Sequence, residues 1–234
     1  MKKHFILSLF FLSGIFFLIA SPQDSISTIY QNGEFVTHCQ VYVSASDSIS
    51  NAVLNDFDYQ MRYKLDALFG WALKGMNLRK EKDELMIFYF KSTSYNKETN
   101  VIKCVGDIIV PGYITSPDIN IESRISSQKF SNGKSSFYID LLNSNRFIKK
   151  MSSNFSVIPK KDKGVWFTLD TQVRFNWFFN IFITQKRFKS IMEWRLKRFV
   201  HNIKDEAERR EKRERPRSLM REIRNMEIQK KIIK

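Results

Sequence analysis

Cysteine is scarce: Cys39 and Cys104 are the only two in 234 residues. A scaffold stapled by several disulfides is therefore excluded. Histidine is scarcer than the chemistry of most metal or nucleophile sites requires. One of the three, His4, precedes an apolar N-terminal run, and no His/Cys spacing suited to zinc exists. The eight glycines form no phosphate-cradling loop. No internal repeat is visible. His38 and Cys39 are neighbours on an alternating stretch, so they point to opposite faces and form no nucleophile–base pair. No catalytic residue, metal ligand or cofactor motif is expected from this sequence.

Long apolar runs are also rare. The exception, Phe5–Ala20, follows the basic start Met-Lys-Lys-His and ends on a small residue. It reads as a signal peptide over residues 1–20, cleaved near Ala20, which implies secretion or a periplasmic location. The alternative is an uncleaved N-terminal membrane anchor, although the run is short of the roughly 20 residues that span a bilayer comfortably. Residues 21–33 are polar and turn-rich and read as a flexible leader.

What is abundant is aromatic and basic. Hydrophobic residues make up 43% of the chain and 21 are Phe, which suits a folded, aromatic-rich interior. The formal net charge is +15. From Thr184 onward there are eighteen basic residues against eight acidic ones, so most of the excess lies in the last quarter. That bias favours an anionic partner for the tail rather than for the whole domain.

Between these ends the periodicity changes in an orderly way. In Glu34–Val43, Phe35, Thr37, Cys39, Val41 and Val43 share one face, the pattern of a half-buried strand. Ser46 or Asp47 can cap a helix whose stripe begins at Ile49, Val53 and Phe57. A break near Asp56–Asp58 gives two short helices between Asp47 and Leu78. Six strands are then expected: Glu84–Ser92, Val101–Val110, Ile119–Ile125, Phe137–Leu141, Phe155–Ile158 and Val165–Phe175. Pro111-Gly112, Asn132-Gly133 and Lys160–Gly164 supply the turns, so neighbours run antiparallel. One polar face per strand means that one side of the sheet is covered.

The last element is an amphipathic helix from Thr184 to about Arg213. Phe188, Met192, Phe199 and Ile203 recur at helical spacing, flanked by Ile191, Leu196 and Val200. Pro216 is expected to end it. Asp205, Glu206 and Glu208 interleave with Lys204, Arg209 and Arg210 and read as a solvated charged face. Residues 209–234 form a basic helical tail, in which Leu219, Ile223, Met226 and Ile233 stand among Arg and Lys. Contact with an anionic membrane surface is one role for it, and a solvated extension is the other. Nucleic acid is not an expected partner, because aromatic platforms are lacking after Phe199.

This order resembles the helix-grip fold of the START-like, polyketide-cyclase-like (SRPBCC) superfamily. The resemblance spans residues 34–208. It is carried by VYVSASDSISNAVLNDFD (Val41–Asp58) and by the strand Val165–Phe175 leading through Trp177–Ile183 into the long helix. It implies an α+β fold: a curled seven-stranded antiparallel sheet wrapped around a long C-terminal helix, with two short helices after the first strand. It also puts the strands of Cys39 and Cys104 far apart, so both are expected as free buried thiols. Members of that superfamily mostly hold lipids, sterols, quinones or polyketides in an apolar cavity, and a minority are enzymes. The expected ligand wall here is Phe137, Phe155, Phe167, Phe175, Phe188, Met192 and Phe199, which share one side if the strand parity holds. Besides an enzyme of cyclase-like type, two readings stay open. In one, the wall binds or shuttles a hydrophobic small molecule or lipid without chemistry. In the other, these rings fill the core of an interaction protein whose basic arm docks a membrane or a protein partner.

Overall fold

The computed structural model describes residues 23–75, 87–160, 164–177 and 184–232, with the backbone alone at 66, 69 and 87 and over 215–232. The signal-peptide run, the expected helix end at 76–78, the strand start at 84–86 and the apolar residues of the tail lie outside the described main and side chains.

Strand β1 is Ser25–Gln31 and β2 is Glu34–Val43. Helices α1 (Asp47–Tyr63) and α2 (Leu65–Gly70) follow. Six further strands come next: β3 Ile87–Asn96, β4 Val101–Val110, β5 Ile114–Lys129, β6 Ser135–Leu141, β7 Ile148–Pro159 and β8 Val165–Phe175. Helix α3 runs from Gln185 to Ile232. All eight strands form one antiparallel sheet in the order β1-β2-β8-β7-β6-β5-β4-β3. Without β1, this is the helix-grip plan: β2 and β3 are joined through α1 and α2, and the strand after a run of hairpins returns beside β2 before the long helix.

Three expectations need correction. The sheet has eight strands, because Ser25–Gln31 within the supposed flexible leader pairs with β2. The physical reason is Asn32-Gly33, at φ +54° and +79°, which is the two-residue turn that suits a right-twisted hairpin. Second, the break between the first helices falls at Lys64, not near Asp56–Asp58. Arg62 reaches back to Asp58 at 2.6 Å, an i,i+4 bond that fastens the turn following Asp58 and favours continuing the helix there. Third, α3 continues through Pro216 to Ile232. A proline removes one hydrogen bond from a helix interior but does not forbid the next turn.

The inward faces follow the expected parity. Phe35, Thr37, Cys39, Val41 and Val43 are buried on β2, and Val165, Phe167, Leu169, Thr171, Val173 and Phe175 on β8. Helix α3 lies against β1, β2, β8 and α1, while α1 reaches β3, β6 and β7. Two lengths match. Phe188 of α3 stacks on Phe35 at 4.0 Å between centroids, and Glu208 of α3 accepts from the backbone N–H of Ser44 at 3.0 Å. The twenty helical residues between those contacts rise about 30 Å. The nine strand residues from Phe35 to Ser44 also span about 30 Å. Helix and strand therefore run side by side in the same direction, pinned at both ends.

Both pins are specific. At the β8 end Phe35, Phe175 and Phe188 form an aromatic cluster with Ile191, Phe147 and Ile108. At the other end Ser46 caps α1 by accepting from the Ile49 N–H, and its own N–H and Oγ donate to Glu211 at 3.0 and 2.9 Å. Arg210 bridges Glu206 and Asp56, tying α3 to α1. Glu206, Glu208 and Glu211 are thus a polar clamp, which corrects the reading of this stretch as a merely solvated face. The burial of Glu206 opposes ionisation, but hydrogen bonds from Arg209 and Arg210 outweigh it and hold its carboxyl below the usual range. Ala45 and Ala207 are buried at the same crossing, small enough to let the chain approach the helix closely. Asp24 joins β1's approach to this end, accepting from the Tyr42 N–H and facing His201 and Lys204.

Candidate ligand cavity

Pinned along β1, β2 and β8, helix α3 leaves a gap toward the β7–β4 side of the curl, and α1 and α2 roof it. The gap is a cavity of about 350 Å³. Its floor is the concave sheet: Ile139 of β6, Met151, Ser153 and Phe155 of β7, Leu169, Thr171 and Val173 of β8, and Cys104 of β4. Its roof is Phe57 and Met61 of α1, Leu65 and Leu68 of α2, Leu73, and Met192, Leu196 and Phe199 of α3. Phe90 of edge strand β3 also lines it and is 42% exposed, so the cavity reaches the surface there.

Of the seven expected wall residues, Phe137, Phe155, Met192 and Phe199 line this space. The other three do not. Phe167 is fully buried behind Phe155 with the rings 5.6 Å apart, and Phe175 and Phe188 pack with Phe35 in the second cluster. The parity of these three was right, but their height along the strands and the helix places them past either end of the void. Phe57 and Phe90 are rings that sequence reasoning missed, and Phe57 is the buried one. It meets Phe137, Phe155 and Phe199 edge-on at 5.3, 6.0 and 5.6 Å. The place of Phe57 on the first apolar stripe was visible, but its facing partners were not. Ser153 was missed because β7 extends seven residues earlier than the expected strand, to Ile148.

Among the described residues no lining side chain carries a charge. Cys104 is a neutral thiol, pushed up to about 11 by burial. Cys39, fully buried on β2 and not part of the wall, is raised to about 12 by burial with a smaller contribution from Asp24. Both cysteines are free. The polar exceptions in the wall are hydroxyls: Ser153 Oγ donates to Thr171 Oγ1 at 3.3 Å across the β7–β8 ladder.

The one histidine–carboxylate contact in hydrogen-bond range among the described residues lies on the outer face. His38 Nδ1 is 2.7 Å from Asp170 Oδ1, both about half exposed, as expected for a side chain opposite inward Cys39. Ser27 sits across from His38 in the β1–β2 register. The row lies on open sheet surface, where nothing would exclude water or hold a substrate, so it carries no catalytic reading. Among the described residues no group of three or more potential metal ligands occurs. No helix there is long and apolar enough to cross a membrane.

No family model matches the chain, and no curated protein matches it. Solved structures do. A START superfamily protein from Mycobacterium smegmatis aligns at 11% identity over 74% of this chain and 97% of its own, with a TM-score of 0.44. Truncated norcoclaurine synthase from Thalictrum flavum aligns at 12% identity over 78% and 96%, with a TM-score of 0.43. The di-domain ARO/CYC StfQ from the steffimycin biosynthetic pathway aligns at 9% over 76% and 52%, with a TM-score of 0.44. At such scores nothing about ligand or activity transfers. The fold stands on the strand order, the register and the seat of α3. It is a helix grip.

Proposed function

We propose that this protein binds a hydrophobic small molecule or lipid in the cavity between sheet and long helix, and does so without chemistry. The observation that carries the reading is the uncharged wall. A void of about 350 Å³ lined by Phe, Leu, Met and Ile, with two hydroxyls and a protonated thiol, suits an apolar guest. Among the described residues the wall holds no carboxylate, imidazole or amine to serve as acid or base, whereas an enzyme of cyclase type would need such groups to converge there. The same void favours this reading over an interaction protein with a filled core.

Two further parts rest on the sequence. The protein acts outside the cytoplasm, a placement supported by the basic start and the Phe5–Ala20 run, with an uncleaved anchor as the alternative form. Its basic C-terminal arm meets an anionic membrane surface, which would bring the cavity near a lipid source.

Native mass spectrometry of the full mature chain, before and after exposure to extracted lipid, tests the binding role. The expected result is a one-to-one adduct of a nonpolar molecule. No adduct, together with no uptake of a neutral apolar fluorophore, would overturn it. Deleting Pro216–Lys234 is expected to lower binding to anionic vesicles while leaving thermal unfolding intact. Equal binding by both forms to neutral and anionic vesicles would remove the membrane role.

A further inference from the structure

The cavity wall has one polar stripe, and its position is regular. Thr28, Thr37, Thr171, Ser153 and Ile139 fall in one cross-strand row over β1, β2, β8, β7 and β6. The first four carry hydroxyls on the concave face, in two bonded pairs: Thr28 with Thr37 at 2.9 Å, and Ser153 with Thr171 at 3.3 Å. The Thr28–Thr37 pair is sealed at 3% and 2% exposure. The Ser153–Thr171 pair borders the void.

The rows on either side are apolar. On β7 Ser153 stands between Met151 and Phe155, and on β8 Thr171 stands between Leu169 and Val173, and all of these line the cavity. A valine and an alanine would pack there as well, without the cost of burying a hydroxyl. Ser153 donates to Thr171, so the proton of Thr171 remains to be donated, and both oxygens keep accepting capacity.

We propose that the Ser153–Thr171 pair receives the single polar group of an otherwise apolar guest, and that this group is neutral: a hydroxyl or carbonyl rather than a carboxylate or phosphate. This assignment of the pair rests on the cavity-binding role above. Its reason is electrostatic. A neutral oxygen on the guest gains hydrogen bonds from the pair. An ionised carboxylate would lose its water with no cation among the described wall residues to offset the loss. The volume sets the scale of the guest. At about 30 Å³ of liquid volume per water-sized unit, the cavity holds roughly a dozen such units.

The test uses the full mature chain loaded with a neutral naphthylamine fluorophore, with 1-dodecanol and dodecanoate as competitors at pH 8. Dodecanol is expected to displace the fluorophore at concentrations at least about a hundredfold below those dodecanoate needs. In the Ser153→Ala/Thr171→Val double variant, the affinity for dodecanol falls about five- to tenfold, the worth of one neutral hydrogen bond. Far-UV circular dichroism and a urea midpoint close to the parent's show that the variant is folded. If the fluorophore itself does not bind the parent chain, the cavity-binding role fails. If it binds, but dodecanoate competes as well as dodecanol or the double variant keeps full dodecanol affinity, only the polar-end assignment is overturned.

Discussion

Val157 and Val173 offer a matched test of whether the interior holds a void. Both are inward valines of central strands, on β7 and β8, and both are nearly inaccessible at 0% and 6%. Only Val173 borders the cavity. Substituting Phe at each adds the same atoms in two different surroundings. At Val157 the ring enters close-packed core beside Phe155 and Val165, where overpacking costs about 1–3 kcal/mol or more. At Val173 the ring can turn into empty space, where each Å² removed from water returns about 25 cal/mol, so the net change is expected below about 1 kcal/mol. For a chain of this size each kcal/mol moves the midpoint by roughly 2–4 °C. Val157→Phe should therefore lower the melting temperature by about 2–12 °C, and Val173→Phe by no more than a few degrees. Differential scanning calorimetry and urea titration with unchanged m-values would read both. Val173→Phe should also lose most of its uptake of an apolar fluorophore, while Val157→Phe keeps it in proportion to the folded fraction. Equal destabilisation by the two substitutions, or undiminished uptake by Val173→Phe, would refute the reasoning.

Other consequences can be measured. Gly164 opens β8 at φ +104°, and a Cβ there would lie 2.6 Å from the Tyr42 hydroxyl and 2.8 Å from the Val43 carbonyl oxygen. Gly164→Ala is expected to cost about 1–3 kcal/mol, seen as a lower urea midpoint, and a neutral result would mean that the β2–β8 end is looser than described. The thiols give a pH dependence. Cys39 and Cys104 are raised to about 12 and 11 in the folded state, above the ordinary value of 9.0, so the folded chain holds their protons more tightly than the unfolded chain does. Their contribution is intact below pH 9 and is lost as pH rises toward 11–12. The melting temperature of the parent should therefore fall more steeply from pH 9 to 11 than that of the Cys39→Ala/Cys104→Ala variant, and parallel curves would contradict the burial of the thiols. Under native conditions at pH 8 neither thiol should react with a thiolate-selective reagent, whereas two should titrate in denaturant.

Much of the fold could be read from the sequence because its strands alternate cleanly. Val101–Val110 and Val165–Phe175 have the expected bounds, and the inward faces of β2 and β8 are those their pattern implied. What escaped was pairing at the edge. Ile26 and Thr28 sit in a stretch rich in Ser, Gln and Asp, whose polarity suggested a loop. The Asn32-Gly33 turn was the stronger signal, since it fixes a hairpin from two residues alone. The cavity was only half legible. Periodicity tells which face a Phe occupies, but not how far along the strand the helix passes over it, so Phe167, Phe175 and Phe188 were grouped with rings that lie a different height apart. Ser153 and Thr171 are hydroxyls at inward positions, and an inward polar residue is the more informative observation in an apolar wall. The clamp at Glu208 and Glu211 could not be read locally, because its partners Ser44 and Ser46 are more than 160 residues away.

That clamp bears directly on why there is room inside. Scaled at about 24 cal/mol per Å³, an empty apolar void of this size would cost on the order of 8 kcal/mol, comparable to the entire net stability of a domain. The sheet could relieve such a cost by letting α3 sink toward β7 and β6. It is prevented at one end by the Phe35–Phe175–Phe188 stack and at the other by Glu208 and Glu211 on the backbone of Ser44 and Ser46. The helix is held like a beam on two posts, and the space beneath it is left for a guest. A guest at a hundred times its dissociation constant adds about 2.7 kcal/mol, a rise in melting temperature of roughly 5–11 °C. Removing one post should spoil this. In Glu208→Ala/Glu211→Ala the backbone N–H groups of Ser44 and Ser46 lose charged acceptors, at about 1–3 kcal/mol for the pair because the site is partly exposed. With that end free to settle, the ligand-induced rise should shrink to less than half of its parent value, and amide exchange at Ser44 and Ser46 should quicken. A double variant that melts lower but keeps the full ligand-induced rise would mean that the cavity is held open by the sheet's own curl, and that the clamp only fastens the helix.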